Sequence, residues 1–206
     1  MVKTIIFDLG GVIITLDQNK AISRFKEIGV NDIAEWLNPY RQSGIFGDLE
    51  LGRIDVETFR TELSKMAGCD ISVAQCNYAW QGYVGEVPQR NLDALRKLRA
   101  EGYRLVLLSN TNPCMMEFVL SNRFDGHGHS LADYMDAMYM SYEVGYMKPD
   151  SNFFHHVLMS EQLMPEDALF VDDGPHNVAV ASQMHMHTFC PENGADWTEE
   201  IYKYLA

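Results

Sequence analysis

The stretch "TIIFDLGGVIITLD" (residues 4–17) decides how the chain is read. Its first four residues form an apolar run of strand length, without the polar alternation of a half-solvated strand. The run stops at Asp8. Leu9, Gly10 and Gly11 follow, and then a second apolar run. In a parallel sheet the carboxyl ends of the strands face the ligand crevice, so an acid at that position is a candidate for chemistry. Gly11 supplies backbone freedom for the turn behind it.

Other runs of the same kind lie further along: "RLVLLS" (104–109), "AMYMSYEV" (137–144), "ALFVD" (168–172) and, more weakly, "HTFC" (187–190). Helical patterns separate them. Residues 88–102 place Leu92, Leu95 and Leu98 on one face between a Pro and a Gly, 150–162 begin at a capping Asp150, and 175–184 begin at Pro175. Strands alternating with helices predict an α/β fold, a Rossmann-like parallel sheet core with helices on both faces. Residues 16–85 break the rhythm. They read as successive helices at 19–29, 31–38, 55–68 and 72–80, with no convincing strand. The expected organisation is therefore a core made of 1–15 and 86–206, carrying an inserted helical unit at 16–85.

The totals suit such a domain. The chain has 206 residues, 47% of them apolar, enough for one well-packed core with an insert. Sixteen basic against 29 acidic residues leave a net charge of −13. That balance argues against nucleic acid and against anionic membranes as partners. No apolar run approaches the roughly 20 residues needed to span a bilayer. The four cysteines form no C-x-x-C pair and no disulfide framework, and no signal peptide is evident, so a cytoplasmic protein with reduced thiols is expected. The oligomeric state is left open by the sequence.

Four strands end on polar residues: Asp8; Ser109 with Asn110, Thr111 and Asn112; Lys148 shortly after the third; and Asp172 with Asp173. If these ends converge, three carboxylates offer the hard oxygens that suit Mg²⁺. Lys148, Ser109 and free N–H groups at helix starts offer donors to a phosphate. Such a set serves phosphoryl transfer, in which positioning and charge neutralisation do most of the work. A carboxylate at Asp8 could attack phosphorus and form an aspartyl-phosphate.

Taken in order, "FDLGGVI", "LLSNT", "GYMKPD" and "FVDDGPHN" resemble the four motifs of the haloacid-dehalogenase superfamily, over nearly the whole chain. The segment 16–85 resembles that superfamily's small helical cap. Within it, "ELGRIDVETF" and "AWQGYV" are similar to cap segments of the subfamily that includes bacterial α-D-glucose-1-phosphate phosphatase and the N-terminal domain of epoxide hydrolase. The resemblance implies a Mg²⁺-dependent phosphatase acting on a small phosphorylated metabolite. Asp8 would be nucleophile and metal ligand, and Lys148 and Ser109 would complete the catalytic set. Ser109, Asn110 and Lys148 would bind the phosphoryl group. Asp173 and the Gly10 carbonyl would hold the metal directly, with Asp172 ligating directly or through water. Gly10 departs from the superfamily pattern, in which a second Asp two residues after the nucleophile protonates the leaving oxygen and later activates water. An anomeric hydroxyl departs with less acid assistance than an ordinary alcohol, so a sugar 1-phosphate or another activated ester is the expected substrate. The alternatives are a metal-independent 2-haloacid dehalogenase, against which the retained acidic pair argues, and a binding protein with a vestigial site. A phosphomutase would need a residue to return the phosphoryl group, which Gly10 does not supply.

Other residues carry blander readings. His127 and His129 beside Asp125 read as a polar loop, with Zn²⁺ binding the minor alternative. His155 and His156 cannot easily share one metal, His185 and His187 read as packing or solvated, and His176 is a candidate for touching substrate. Glu50, Arg53 and Trp80 read as packing residues of the helical unit, with substrate contact second. Segment 121–136 is expected to be a loop or short helix near the site, shaping its entrance.

Overall fold

A computed structural model describes residues 2–37 and 43–205. The predicted α/β architecture is present. Five parallel strands, β1 (Thr4–Phe7), β2 (Arg104–Ser109), β3 (Ala137–Met140), β4 (Ala168–Val171) and β5 (His187–Phe189), form one sheet in the order β3-β2-β1-β4-β5. β1 is central. The chain leaves it first towards β2 and β3 and later returns to place β4 on its other edge, so β1 marks the topological switch point. Register puts Phe7 beside Leu107 on one side and Val171 on the other. The residues that follow, Asp8, Ser109 and Asp172, therefore emerge along one rim.

Alternation along the strands builds two buried layers. Ile5, Phe7, Leu105, Leu107, Leu169 and Val171 face one layer. Ile6, Val106, Leu108 and Phe170 face the other, against Phe153, Phe154 and Val157 of α8 (Ser151–Ser160). The first layer is continuous with the interior of the helical segment. That segment contains α1 (Gln18–Glu27), α2 (Gly44–Glu50), α3 (Val56–Ala67) and α4 (Val73–Trp80). Phe25, Phe46, Phe59 and Trp80 meet there with ring centroids 5.3–6.1 Å apart, a packing mode that adds to plain burial. Side chains of Asp17, Asp55 and Ser72 cap α1, α3 and α4. The chain enters and leaves this segment on adjacent tracks, with Leu16 bridged to Val84 and the Gly85 N–H donating to the Thr15 carbonyl at 2.9 Å.

Helices α5 (Gln89–Ala100), α6 (Pro113–Val119), α7 (Ser141–Val144) and α9 (Pro175–Gln183) complete the layers. Three expectations are corrected. The run 137–144 is a strand only to Met140. The Ser141 hydroxyl bonds both the N–H and the carbonyl of Thr111, each at 3.0 Å, and the Gly145 N–H closes a helical turn on the Ser141 carbonyl at 2.8 Å, so tertiary bonding overrides β-propensity. The helix expected at 31–38 is a single 3₁₀ turn, Ile33–Glu35, and Asn38 lies outside the described residues. α2 was not anticipated, because its glycines, Gly44 and Gly47, mask a helical pattern.

Candidate active site

Asp8 leaves β1 with its N–H donating to the Val171 carbonyl, and its Oδ1 accepts the Leu9 N–H at 2.7 Å. The Lys148 Nζ lies 2.9 Å from that same Oδ1 and 2.6 Å from Asp172 Oδ2. Lys148 arrives from the loop after α7 and is held in place by Asn110. The Asn110 Nδ2 donates to the Lys148 carbonyl at 2.9 Å, and the Lys148 N–H donates to Asn110 Oδ1 at 2.8 Å. Asn110 thus spends its side chain on positioning the lysine.

Asp172 is fully buried and already furnished with donors. Its Oδ1 accepts the Gly174 N–H at 2.7 Å, and Asn177 Nδ2 reaches Oδ1 and Oδ2 at 3.0 and 3.2 Å. Asn177 was missed in the sequence. Its signal was its place in the first turn of α9, where a side chain points back at the preceding loop. Asp173 is half-buried and flanks Gly11. Gly11 has φ +78°, and a Cβ there would overlap the Asp173 carboxylate, so two constraints at once demand glycine.

The electrostatics follow from this crowding. Burial, together with the charges of Asp172 and Asp173, pushes the Asp8 carboxyl up to about 7 despite Lys148. Burial and Asp172 push Asp173 up to about 6. Burial opposes the Lys148 charge, yet Asp172 and Asp8 more than offset it and raise its pKa. Oxygens of Asp8, Asp172 and Asp173 all lie within 4.8 Å of one another. Carboxyls crowded this closely are the setting in which a divalent cation with hard oxygen preference binds.

These groups form one end of a cavity of about 340 Å³. Ser109, buried at the end of β2, lines it, as do Gly10, Asn110, Thr111, Lys148 and His176. The helical segment adds Leu16, Glu50, Trp80 and Tyr83 to the lining. Among the described residues, Trp80 Nε1 and Thr111 Oγ1 are buried without a hydrogen-bond partner. Glu50 is 8% exposed, and burial pushes its carboxyl up to about 8, opposed by the Asn112 side chain. Arg53 does not line the cavity and instead pairs with Asp48 on the surface. At Gly10 the space that a side chain would enter is filled by Leu16, whose Cδ1 would stand 2.9 Å from a Cβ.

The segment 121–136 contributes nothing to this cavity, which corrects the expectation that it shapes the entrance. Asp125 is instead a structural hub. Its Oδ1 accepts the N–H groups of His127 and His129 at 2.7 and 3.0 Å, and its Oδ2 takes the His129 ring nitrogen and the Tyr134 hydroxyl at 2.8 Å each. The acid's oxygens are thereby engaged without a metal. Asp136 then joins the segment to the amino end of β2 through the Leu105 N–H and carbonyl, at the far side of the sheet from Asp8.

Comparison with known proteins agrees with this geometry. A family model for haloacid dehalogenase-like hydrolases matches residues 2–185. The chain is 39% identical to the D-ribitol-5-phosphate phosphatase of Bacteroides thetaiotaomicron, over 98% of this chain and 97% of that one. It superposes with TM-score 0.94 on a predicted HAD-like family hydrolase of Porphyromonas gingivalis, at 42% identity, covering 100% and 98% of the two chains. A HAD family enzyme of Bacteroides thetaiotaomicron, crystallised with magnesium and inorganic phosphate, matches with TM-score 0.89 and 35% identity over 97% of this chain and 99% of that one.

Proposed function

The chain belongs to the haloacid dehalogenase-like hydrolases, and we propose that within them it cleaves the phosphate monoester of a small polyol or sugar through an aspartyl-phosphate on Asp8. The protein is a magnesium-dependent phosphatase of phosphorylated metabolites. Its polyol or sugar substrate is the finer reading, supported by the ribitol-phosphate relative and by a cavity sized for a compact ligand.

The observation that carries the proposal is Lys148 bonded at once to Asp8 and Asp172 beside the half-buried Asp173. Asp8, Asp173 and the Gly10 carbonyl would hold Mg²⁺, with Asp172 ligating directly or through water while anchoring Lys148. When bound, the cation neutralises charge on the transferring phosphoryl oxygens and on the carboxylates around them. The chain's own groups do the rest. Asp8 attacks phosphorus in line with the departing oxygen. Lys148 balances the charge of nucleophile and phosphoryl group, Ser109 donates to the phosphoryl oxygens, and Asn110 keeps Lys148 in register. Water then cleaves the acyl phosphate and frees Asp8. The helical unit at 16–85 acts as a cap that encloses the substrate and excludes bulk water.

A sugar 1-phosphate is the second reading, favoured by Gly10, which puts no acid two residues after Asp8. The test is a panel of phosphate monoesters that includes ribitol 5-phosphate, glucose 6-phosphate and glucose 1-phosphate. It is run with Mg²⁺, with EDTA, and with Asp8→Asn. Turnover abolished by both EDTA and the substitution is expected, and turnover that survives either one refutes the proposal.

A further inference from the structure

Phosphoryl transfer in line places the leaving oxygen on the face of phosphorus opposite the attacking carboxylate. The cavity that would receive the phosphoryl group is lined both by the sheet rim that carries Asp8 and by the helical segment. Among the described residues, three that line the cavity carry a carboxyl group: Asp8, Asp173 and Glu50. The first two belong to the rim. Glu50 ends α2, and its position is fixed from both sides. Gly52, two residues on, has φ +65° and approaches the Tyr142 carbonyl so closely that a Cβ would overlap it, which docks the turn after α2 onto α7. The Asn112 amide faces the Glu50 carboxyl while its own Oδ1 caps α6 through the Met115 N–H at 3.0 Å.

Among the described residues, the other titratable groups on the lining are Asp8, Tyr83, Lys148, Asp173 and His176. Lys148 is committed to two carboxylates, and Asp8 is the nucleophile. His176 is exposed in the first turn of α9, beside Asp173 on the rim side. Gly10 offers no proton and Leu16 fills the space next to it.

We propose that Glu50 is the acid–base residue of this phosphatase, supplied from the helical segment in place of one beside the nucleophile. In the first step the Asp8 oxygen forms a bond to phosphorus, the bond from phosphorus to the substrate oxygen breaks, and the Glu50 proton passes to that oxygen, which leaves as the alcohol. In the second step water attacks phosphorus from the side just vacated and Glu50 takes the water proton. The bond from phosphorus to Asp8 breaks, and phosphate leaves with Asp8 and protonated Glu50 restored. At neutral pH the buried carboxyl holds the proton that the first step needs. The assignment removes the need for an activated leaving group, so an ordinary alkyl phosphate becomes an accessible substrate. It rests on the phosphatase reading above.

The experiment compares wild type and Glu50→Gln on ribitol 5-phosphate and 4-nitrophenyl phosphate, in steady state and on the millisecond scale. Nitrophenolate departs without a proton. The variant should therefore give a near-normal burst of one nitrophenolate per enzyme and then turn over slowly, with phosphoryl-enzyme accumulating. On ribitol 5-phosphate it should show no burst and lose on the order of 10²–10⁴-fold in kcat, the range for general acid–base catalysis. Equal losses on both substrates with no burst would assign Glu50 to binding and overturn the proposal, as would a change confined to KM. The same leaving-group dependence produced by His176→Asn instead would also overturn it. Should Glu50→Gln fail to fold, Glu50→Ala with added formate replaces it: recovery of alkyl phosphate turnover supports the role and no recovery overturns it. A wild type inert towards both esters would sink the phosphatase reading, and this inference with it.

Discussion

Replacing Lys148 by Met keeps most of the stem and deletes the charge. The Lys148 side chain is 1% exposed and bonds Asp172, which is fully buried, at 2.6 Å and Asp8 at 2.9 Å. Removing one member of a buried ion pair costs about 3–5 kcal/mol, because the remaining charge stays desolvated. Asp8 softens the loss: its carboxyl already sits at about 7, and without the lysine it takes up a proton near neutral pH. Asp172 keeps the Gly174 N–H and Asn177 as donors. The lower end, about 3 kcal/mol, is therefore expected at pH 7. For a domain of this size that lowers Tm by roughly 6–12 °C. Mg²⁺ supplies positive charge to the same carboxylates and stabilises the folded state by about 2.7 kcal/mol at 100 times its Kd, so the deficit should shrink when metal is added. Thermal unfolding followed by circular dichroism, in EDTA and then in excess Mg²⁺, measures both parts. Should Lys148→Met melt with the wild type in EDTA, the lysine is not what holds the acidic cluster together.

Gly11→Ala forces a Cβ into the Asp173 carboxylate from a left-handed backbone position. About 1 kcal/mol of strain is expected, with a disproportionate loss of Mg²⁺ affinity by calorimetry, and unchanged affinity would show that Asp173 is not a ligand. Mg²⁺ affinity should also fall as pH drops through about 7 and then about 6, because the Asp8 and Asp173 carboxyls are raised to those values and protons compete for the ligand oxygens; a flat titration across that interval refutes this. Glu50 binds a proton in the folded protein up to about 8, whereas its ordinary value is 4.5. Between those two pH values the folded state holds a proton that the unfolded state has released, so stability falls as pH rises, by about 1.4 kcal/mol per pH unit from this group. Glu50→Gln removes that slope and should be more stable than wild type at alkaline pH and similar to it in acid, as read from urea unfolding midpoints.

The sheet was legible because its strands are short apolar runs that alternate with helical patterns, the arrangement of a parallel sheet covered on both faces. Most of the rim was legible for the same reason: Asp8 and Asp172 follow buried runs and Ser109 ends one, while Lys148 comes from the loop beyond α7. Less legible was anything set by contact between segments distant in sequence. Ser141 ends β3 because its hydroxyl finds Thr111, 30 residues earlier, and no local pattern announces that. Asn110 reads as a phosphate ligand by its place after Ser109, yet its amide grips the Lys148 backbone, 38 residues on.

Gly10 and Glu50 show the same limit at the centre of the chemistry. In sequence, Gly10 is an omission and Glu50 is one of 29 acidic residues. In three dimensions the Leu16 side chain packs beside Gly10, while a buried carboxyl from α2 lines the same cavity as Asp8. An acid two residues after Asp8 would be carried by the rim that also binds the metal. An acid on α2 would be carried by the segment proposed to enclose the leaving group, so its approach to the reacting oxygen would depend on how that segment docks. Substrates that fill the wall made by Trp80 and Tyr83 should accordingly gain in kcat as well as in KM, because their binding also fixes the proton donor. If Trp80→Phe raises KM and leaves kcat untouched for ribitol 5-phosphate, enclosure and proton transfer are separate functions and that coupling is wrong.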